Sequence, residues 1–170
     1  MKSFATLRTN STAVTIHIQI ARAFQAHGRT RQLRTAAQAV IVQVQLAHAV
    51  ELSIRLSDDA ELHALNLNYR SMDKPTDVLS FGSEAWRDGV RAQASSDPEY
   101  LGDIVISMER CVAQAQAGGH EVHEELALLV VHGTLHLLGY DHDTPPRKKL
   151  MWGQQAQALA AVGIANRVQV

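Results

Sequence analysis

Three of the nine histidines stand in one short run, His132-Gly-Thr-Leu-His136-Leu-Leu-Gly139-Tyr-Asp-His142. His132 and His136 are four apart in a strongly helical stretch, so both imidazoles leave the same helix face about one turn apart. That spacing lets two ring nitrogens meet one metal ion at about 2.0–2.1 Å each. Gly139 then ends the helix and permits a left-handed turn that a residue with a β-carbon resists. Through Tyr140 and Asp141 the chain reverses and brings His142 back towards the pair. Three neutral imidazoles plus one open position is the pattern of a catalytic zinc site, because structural sites close the fourth position, usually with thiolate. Cys111 is the sole thiol, and nothing in its sequence position brings it near. Two core histidines beside an apolar helix are the plainer reading, but that reading leaves the glycine stop and the third histidine unexplained. Asp141 and Asp143 flank the last histidine, where carboxylates commonly take the second ring N–H of a ligating imidazole and fix its tautomer.

The run has the H-x-x-x-H-x-x-G-x-x-H skeleton of the metzincin metalloproteases. In those enzymes a glutamate follows the first histidine and serves as general base. Here the position is Gly133, which holds no proton, so a peptidase of the usual zincin type is disfavoured. Water acidified by a metal remains available, and catalysis then depends on charge stabilisation from elsewhere. The marked candidate for that charge lies in residues 69–81, Tyr-Arg-Ser-Met-Asp-Lys-Pro-Thr-Asp-Val-Leu-Ser-Phe. Arg70 comes at a helix end just before a break, where its planar fork could clamp a phosphate. Lys74 could add a point charge. Arg70 could equally compensate a helix dipole, and Asp77 could cap a turn. Arginine beside a metal shifts the expected substrate from a neutral amide to a phosphodiester.

The elements that must position these groups are legible in the periodicity. Val14 to Ile20 and Glu51 to Leu56 alternate strictly and read as half-buried strands. Between them, from about Thr30 to Leu46, Leu33, Ala37, Val40, Ile41 and Val44 recur at helical spacing. Ser57, Asp58 and Asp59 carry helix-start chemistry, and a short helix through Leu62, Leu65 and Tyr69 ends near Arg70. Asp77–Phe81 and Gly102–Ser107 read as two further strands, separated by a long loop over 82–100. Three helices follow, over about 108–117, 122–138 and 147–161, with stops at Gly118-Gly119, Gly139 and Gly163. The order predicts an α+β fold, a mixed four-stranded sheet packed with about five helices, one of them a metzincin-like metal-site helix. Residues 1–12 read as a loose lead-in and 13–170 as a single domain.

Composition narrows the class. In 170 residues, 46% are hydrophobic and 19% charged, with a net charge of −1, which fits a globular chain and gives no global pull towards nucleic acid. The balance is local. Residues 1–50 carry Lys2, Arg8, Arg22, Arg29, Arg31 and Arg34 and no acid, so this segment could track a phosphate backbone or serve as a transit peptide. The transit-peptide reading is disfavoured, since the second half already shows a folded pattern, and phosphate tracking would require this segment to share a face with Arg70. One cysteine excludes an internal disulfide framework and fits a reducing compartment. The longest apolar run near the centre, Leu126 to Val131, is far too short to span a bilayer. We expect a cytoplasmic protein with no membrane and no disulfide partner. Trp86 is the aromatic best placed to stack a base, while Trp152 reads as core. The remaining histidines, His17, His27, His48 and His63 among them, read as surface or capping residues, with His120 and His123 beside a helix start.

Residues 132–142, together with Leu65-Asn66, Tyr69-Arg70, Asp73–Phe81 and Leu101–Ile104, resemble the bacterial YbeY-type endoribonucleases. The likeness spans roughly residues 14–163. The resemblance implies a zinc-dependent, single-strand-specific endoribonuclease of the cytoplasm. It would act on the small ribosomal subunit, in 16S rRNA 3′-end maturation and ribosome quality control. It also implies one zinc ion on His132, His136 and His142, with the functional arginine falling on Arg70. Asp141, Asp143, Lys74 and Asp77 are further candidates for contacts to the ligating rings or to substrate. The segment after the third histidine departs from the acidic family pattern, reading Arg147-Lys148-Lys149. That basic run either touches RNA backbone or is a solvated helix start. Two other readings remain: a zinc peptidase with a base outside the motif, and a non-catalytic ribosome-assembly factor in which zinc is a staple.

Overall fold

The computed structural model describes residues 13–27, 29–46, 48–83 and 97–164. Four strands, β1 (Val14–Ile20), β2 (Val50–Ser57), β3 (Val78–Gly82) and β4 (Glu99–Ser107), form one sheet in the order β1-β2-β4-β3. The helices are α1 (Thr30–Gln43), α2 (Asp59–Arg70), α3 (Met108–Gly118), α4 (Val122–Leu137) and α5 (Pro145–Ala161). A short 3-10 turn over Arg22–Phe24 precedes α1. β1, β2 and β4 run parallel, and β3 pairs antiparallel with β4. The protein is therefore α+β with a mixed four-stranded sheet and five helices among the described residues, as the sequence predicts.

Alternation sorts each strand onto two faces. Ile16, Leu52, Ile54, Leu56, Leu101, Ile104 and Ile106 join Leu33, Val40 and Ile41 of α1 and the buried faces of α4 and α5 in the main core. On the opposite face, Leu62 of α2 meets Leu79 and Val105 in a much smaller cluster, flanked by Leu65 and Phe81. One face of the sheet is thus fully roofed and the other only partly.

Several boundaries differ from those read off the chain. α1 stops at Gln43 rather than Leu46, because Gln45 turns into the left-handed region at φ 53°. β4 begins at Glu99 instead of Gly102, since its first residues pair with Val50 and Glu51. α5 takes Pro145 as its opening residue, a position where the missing N–H costs nothing. A bulge at Glu51/Leu52 shifts the β2–β4 register so that Tyr100 and Gly102, but not Leu101, have partners. Gly102 sits there at φ +136°, and a β-carbon on it would stand 2.1 Å from the Phe81 carbonyl oxygen. Only glycine lets β3 come that close. Of the 82–100 loop, residues 84–96 lie outside the described residues, as does the 1–12 lead-in.

Candidate active site

The three histidines come together because α4 is an interior helix. Twelve of its sixteen residues are buried, an all-round apolar pattern that only a helix surrounded by protein can sustain. Its start is fixed by Glu124, whose carboxylate accepts the Glu121 backbone N–H at 3.0 Å. Its end is the glycine turn: Gly139 has φ +84°, and Tyr140 N–H returns to the Leu135 carbonyl at 3.0 Å. His142 is thereby folded back. The Nε2 atoms of His132 and His136 are 3.0 Å apart. The ring centroid of His142 lies 5.5 Å from that of His132 and 5.2 Å from that of His136. One nitrogen from each ring falls within 4.8 Å of the others, a group that could hold a metal ion.

Burial keeps two of the three rings in the ligating form. Burial pushes the His136 pKa down to about 4, and the neighbouring His132 and His142 push it the same way. Burial likewise lowers that of His132, against the opposing effect of a hydrogen bond to Gln155. Both imidazoles are therefore neutral at pH 7, with a lone pair available. The tautomer of His132 follows from its partner: Nδ1 donates to Gln155 Oε1 at 3.1 Å, leaving Nε2 to face the other rings. Gln155 is itself buried, on α5. Trp152, one turn earlier, stands edge-on to His142 at 5.4 Å between centroids and to His132 at 6.4 Å. Lys148 Nζ lies 5.0 Å from the Trp152 ring centroid, a cation–π contact. Trp152 is thus half-exposed beside the histidines and packed against the main core at once.

Gly133 has a packing reason for its small size. A β-carbon there would stand 2.8 Å from Ile104 Cγ2 and 3.1 Å from Ser80 Oγ. The Ser80 hydroxyl donates to the Gly133 carbonyl at 3.2 Å, tying β3 to α4. The position that carries a base in metzincins is here the seat of the helix on the sheet.

Arg70 approaches from the other side, as the last residue of α2. Asp58 caps that helix by accepting the Glu61 N–H at 2.8 Å. At its far end Ser71 adopts the left-handed conformation, φ 55°, while Ser71 N–H and Met72 N–H return to the Leu67 and Asn66 carbonyls. Asn66 is buried and its Nδ2 donates to the Lys74 carbonyl at 2.8 Å, so the break after Arg70 is stapled to the helix. Among the described residues Arg70 has no ion-pair partner. It lines, with His136, Ser83, Asp141 and Arg147, a cleft of about 420 Å³.

The other candidates take different places. Asp141 lines the cleft, and its Oδ1 accepts the His142 backbone N–H at 2.7 Å. Burial pushes its carboxyl up, but that hydrogen bond and the charges around it prevail and hold it below the usual range. Asp143 accepts from Arg147 at 2.8 Å on both carboxylate oxygens. The ring partner that the structure shows is Gln155, which the sequence reading missed. Its signal was a lone amide on the stripe of Met151, Ala158 and Leu159. Asp77 accepts the Val78 N–H and Gln114 Nε2, at 2.8 and 2.9 Å, at the foot of β3. Lys74 sits in the exposed turn between α2 and β3. His63 pairs with Asp73 at 2.6 Å, His17 with Glu51 and His48 with Glu99. His120 bonds Glu125 at 2.5 Å away from the cleft. Trp86 lies outside the described residues.

Fold and site together define an α+β protein that sets a three-imidazole corner, able to hold a metal ion, against an arginine. Residues 17–163 match the family described as Endoribonuclease YbeY, and the chain belongs to that family. It is 43% identical over 153 residues to the Endoribonuclease YbeY of Roseiflexus sp. (strain RS-1), covering 89% of this chain and 95% of that one. To the Endoribonuclease YbeY of Roseiflexus castenholzii it is 48% identical over 122 residues, covering 71% and 76%. The solution structure of TM1509 from Thermotoga maritima shares the fold, with a TM-score of 0.54 at 22% identity over 88% of this chain and 92% of that one.

Proposed function

We propose that this protein is a zinc-dependent, single-strand-specific endoribonuclease, with residues 13–170 as one catalytic domain. The reading places it in the cytoplasm, acting on the small ribosomal subunit in 16S rRNA 3′-end maturation and ribosome quality control. The observation that carries the reading is a cleft that Arg70 shares with His136, one of the three histidines grouped as a possible metal corner. The donor set fits zinc: three imidazoles that can meet at one point, one of them with its tautomer fixed by Gln155. When bound there, zinc supplies Lewis acidity towards a phosphoryl oxygen and acidifies water to near neutrality.

The chain's own residues supply the rest. His132 and His136 keep their lone pairs because burial disfavours their protonation. Arg70 binds the scissile phosphate and opposes the negative charge that grows on it as the bond breaks. Its five N–H donors and permanent charge suit that role better than the exposed Lys74. Asp141 orders the turn that carries His142. Gly133 leaves no side-chain base beside the first histidine, which argues against peptide hydrolysis.

The test joins metal content to cleavage of a short single-stranded RNA. His136→Ala is expected to lower bound zinc and cleavage together. Arg70→Glu should keep the metal and lose cleavage by about 100-fold or more. If both variants cleave like the wild type, the reading fails. Chelation that unfolds a nuclease-free preparation lacking turnover would favour a zinc staple, and chelator-sensitive digestion of a peptide library would favour a peptidase.

A further inference from the structure

The partly roofed face of the sheet holds a second groove, of about 450 Å³, beside α2. Tyr69 and Phe81 line both this groove and the cleft that contains Arg70 and His136, so the two spaces meet at these rings. Tyr69 is 70% exposed, which is unusual for a large aromatic on the concave side of a domain. It immediately precedes Arg70. Its ring meets Phe81 edge-on, 5.1 Å between centroids at 63°, so Phe81 braces it while one face stays open.

The charges of the two spaces differ. The groove carries two carboxylates, Glu61 and Asp103, against one guanidinium, Arg55, which Glu61 already engages at 2.5 Å. His17 also lines the groove and is paired with Glu51, so the groove's two carboxylates disfavour a phosphate there. A neutral base has partners, because Ser53, Tyr100 and Asp103 present a hydrogen-bonding chain on the strand surface, with 2.9 Å and 2.8 Å links. The cleft holds Asp141 and an Arg147 that Asp143 engages, but its Arg70 has no ion-pair partner among the described residues and suits the phosphate.

We infer that Tyr69, braced by Phe81, is the stacking platform for the base of the nucleotide that flanks the scissile phosphate, and that this base enters the groove while its phosphate stays at Arg70. The inference rests on the endoribonuclease reading. Tyr69 acts here as a positioning residue: it binds a part of the substrate that does not react. Its loss therefore weakens binding more than chemistry.

The experiment uses the full-length, zinc-loaded protein and a single-stranded oligonucleotide whose cut site has been mapped, with a series of copies bearing one abasic nucleotide near the cut. Tyr69→Ala should raise KM about tenfold on the intact strand, as loss of one base–aromatic stack does, with kcat changed less than about twofold. Tyr69→Phe should restore wild-type KM. On one abasic strand of the series, wild type and Tyr69→Ala should become equal, since the partner of the ring is gone. Equal KM for Tyr69→Ala and wild type on the intact strand overturns the inference. So does a Tyr69→Ala effect that persists undiminished on every abasic strand. Absence of cleavage by the wild type on the intact strand would instead overturn the endoribonuclease reading and the inference with it.

Discussion

α4 delivers His132 and His136 with twelve of its sixteen residues buried, whereas α2 delivers Arg70 with only Leu62 and Asn66 buried. The first wall of the cleft sits in the main core, where each fully buried leucine contributes about 1.5–3 kcal/mol relative to an exposed one. The second rests on a satellite cluster and a stapled turn. The two jobs proposed above account for the difference. Ring nitrogens that share one ion tolerate shifts of only a few tenths of an ångström, so their helix must be immobile. A guanidinium on a long stem reaches a phosphate from a less rigid base.

The comparison is sharpened most by Gln155→Leu, which acts on the rigid wall without touching its packing volume much. Loss of the hydrogen bond to His132 Nδ1 frees that ring's tautomer. Zinc affinity should fall about 10–100-fold, read by competition with a chromogenic chelator, and the metal-free protein should lose about 1–3 kcal/mol because the buried His132 Nδ1 is left without a partner. An unchanged affinity would mean that packing alone orients the ring. On the other wall, Asn66→Ala removes the staple to the Lys74 carbonyl. We expect about 1 kcal/mol of lost stability, because Lys74 is exposed and water can replace the bond. Cleavage should decline while zinc affinity stays at the wild-type value. A variant that lost zinc as well would show that the two walls are not independent.

The smallest effect belongs to Cys111, a buried residue of α3 whose thiol reaches the Val122 carbonyl at the start of α4. Burial pushes its thiol up to about 12, with Glu125 and Asp77 adding to the shift. Iodoacetamide at pH 8 should leave the native thiol unmodified over hours and label it quickly in denaturant. The folded thiol keeps its proton where the unfolded one loses it. Its contribution to stability is therefore complete below about pH 9 and declines as pH rises towards 12. Rapid labelling of the native protein would mean that the metal wall opens far more readily than its burial implies.

Local patterns were read well and partnerships across the chain were not. The alternation Val14–Ile20, the cap at Asp58 and the stops at Gly119, Gly139 and Gly163 all act within a few residues. So does the pairing of His132 with His136. Glu99–Leu101 shows no alternation, and its place in β4 comes from the β2 edge it completes. Gln155 reaches His132 across 23 residues, from a helix whose placement on α4 no local signal gives. For the same reason the flanking carboxylates Asp141 and Asp143 were the natural candidates for the ring, yet one holds a backbone N–H and the other an arginine. Arg70 could be marked as a helix-end cation, but its place opposite His136 depends on β3 folding back along β4.

Gly133 also limits what substitution can do. A glutamate here, where metzincins carry one, would need a smaller residue in place of Ile104, whose Cγ2 stands 2.8 Å from the new β-carbon, and room beside Ser80 Oγ at 3.1 Å. Either change alone yields a poorer protein, by overcrowding or by a void. Packing thus opposes a side-chain base at this position before any question of its reactivity arises.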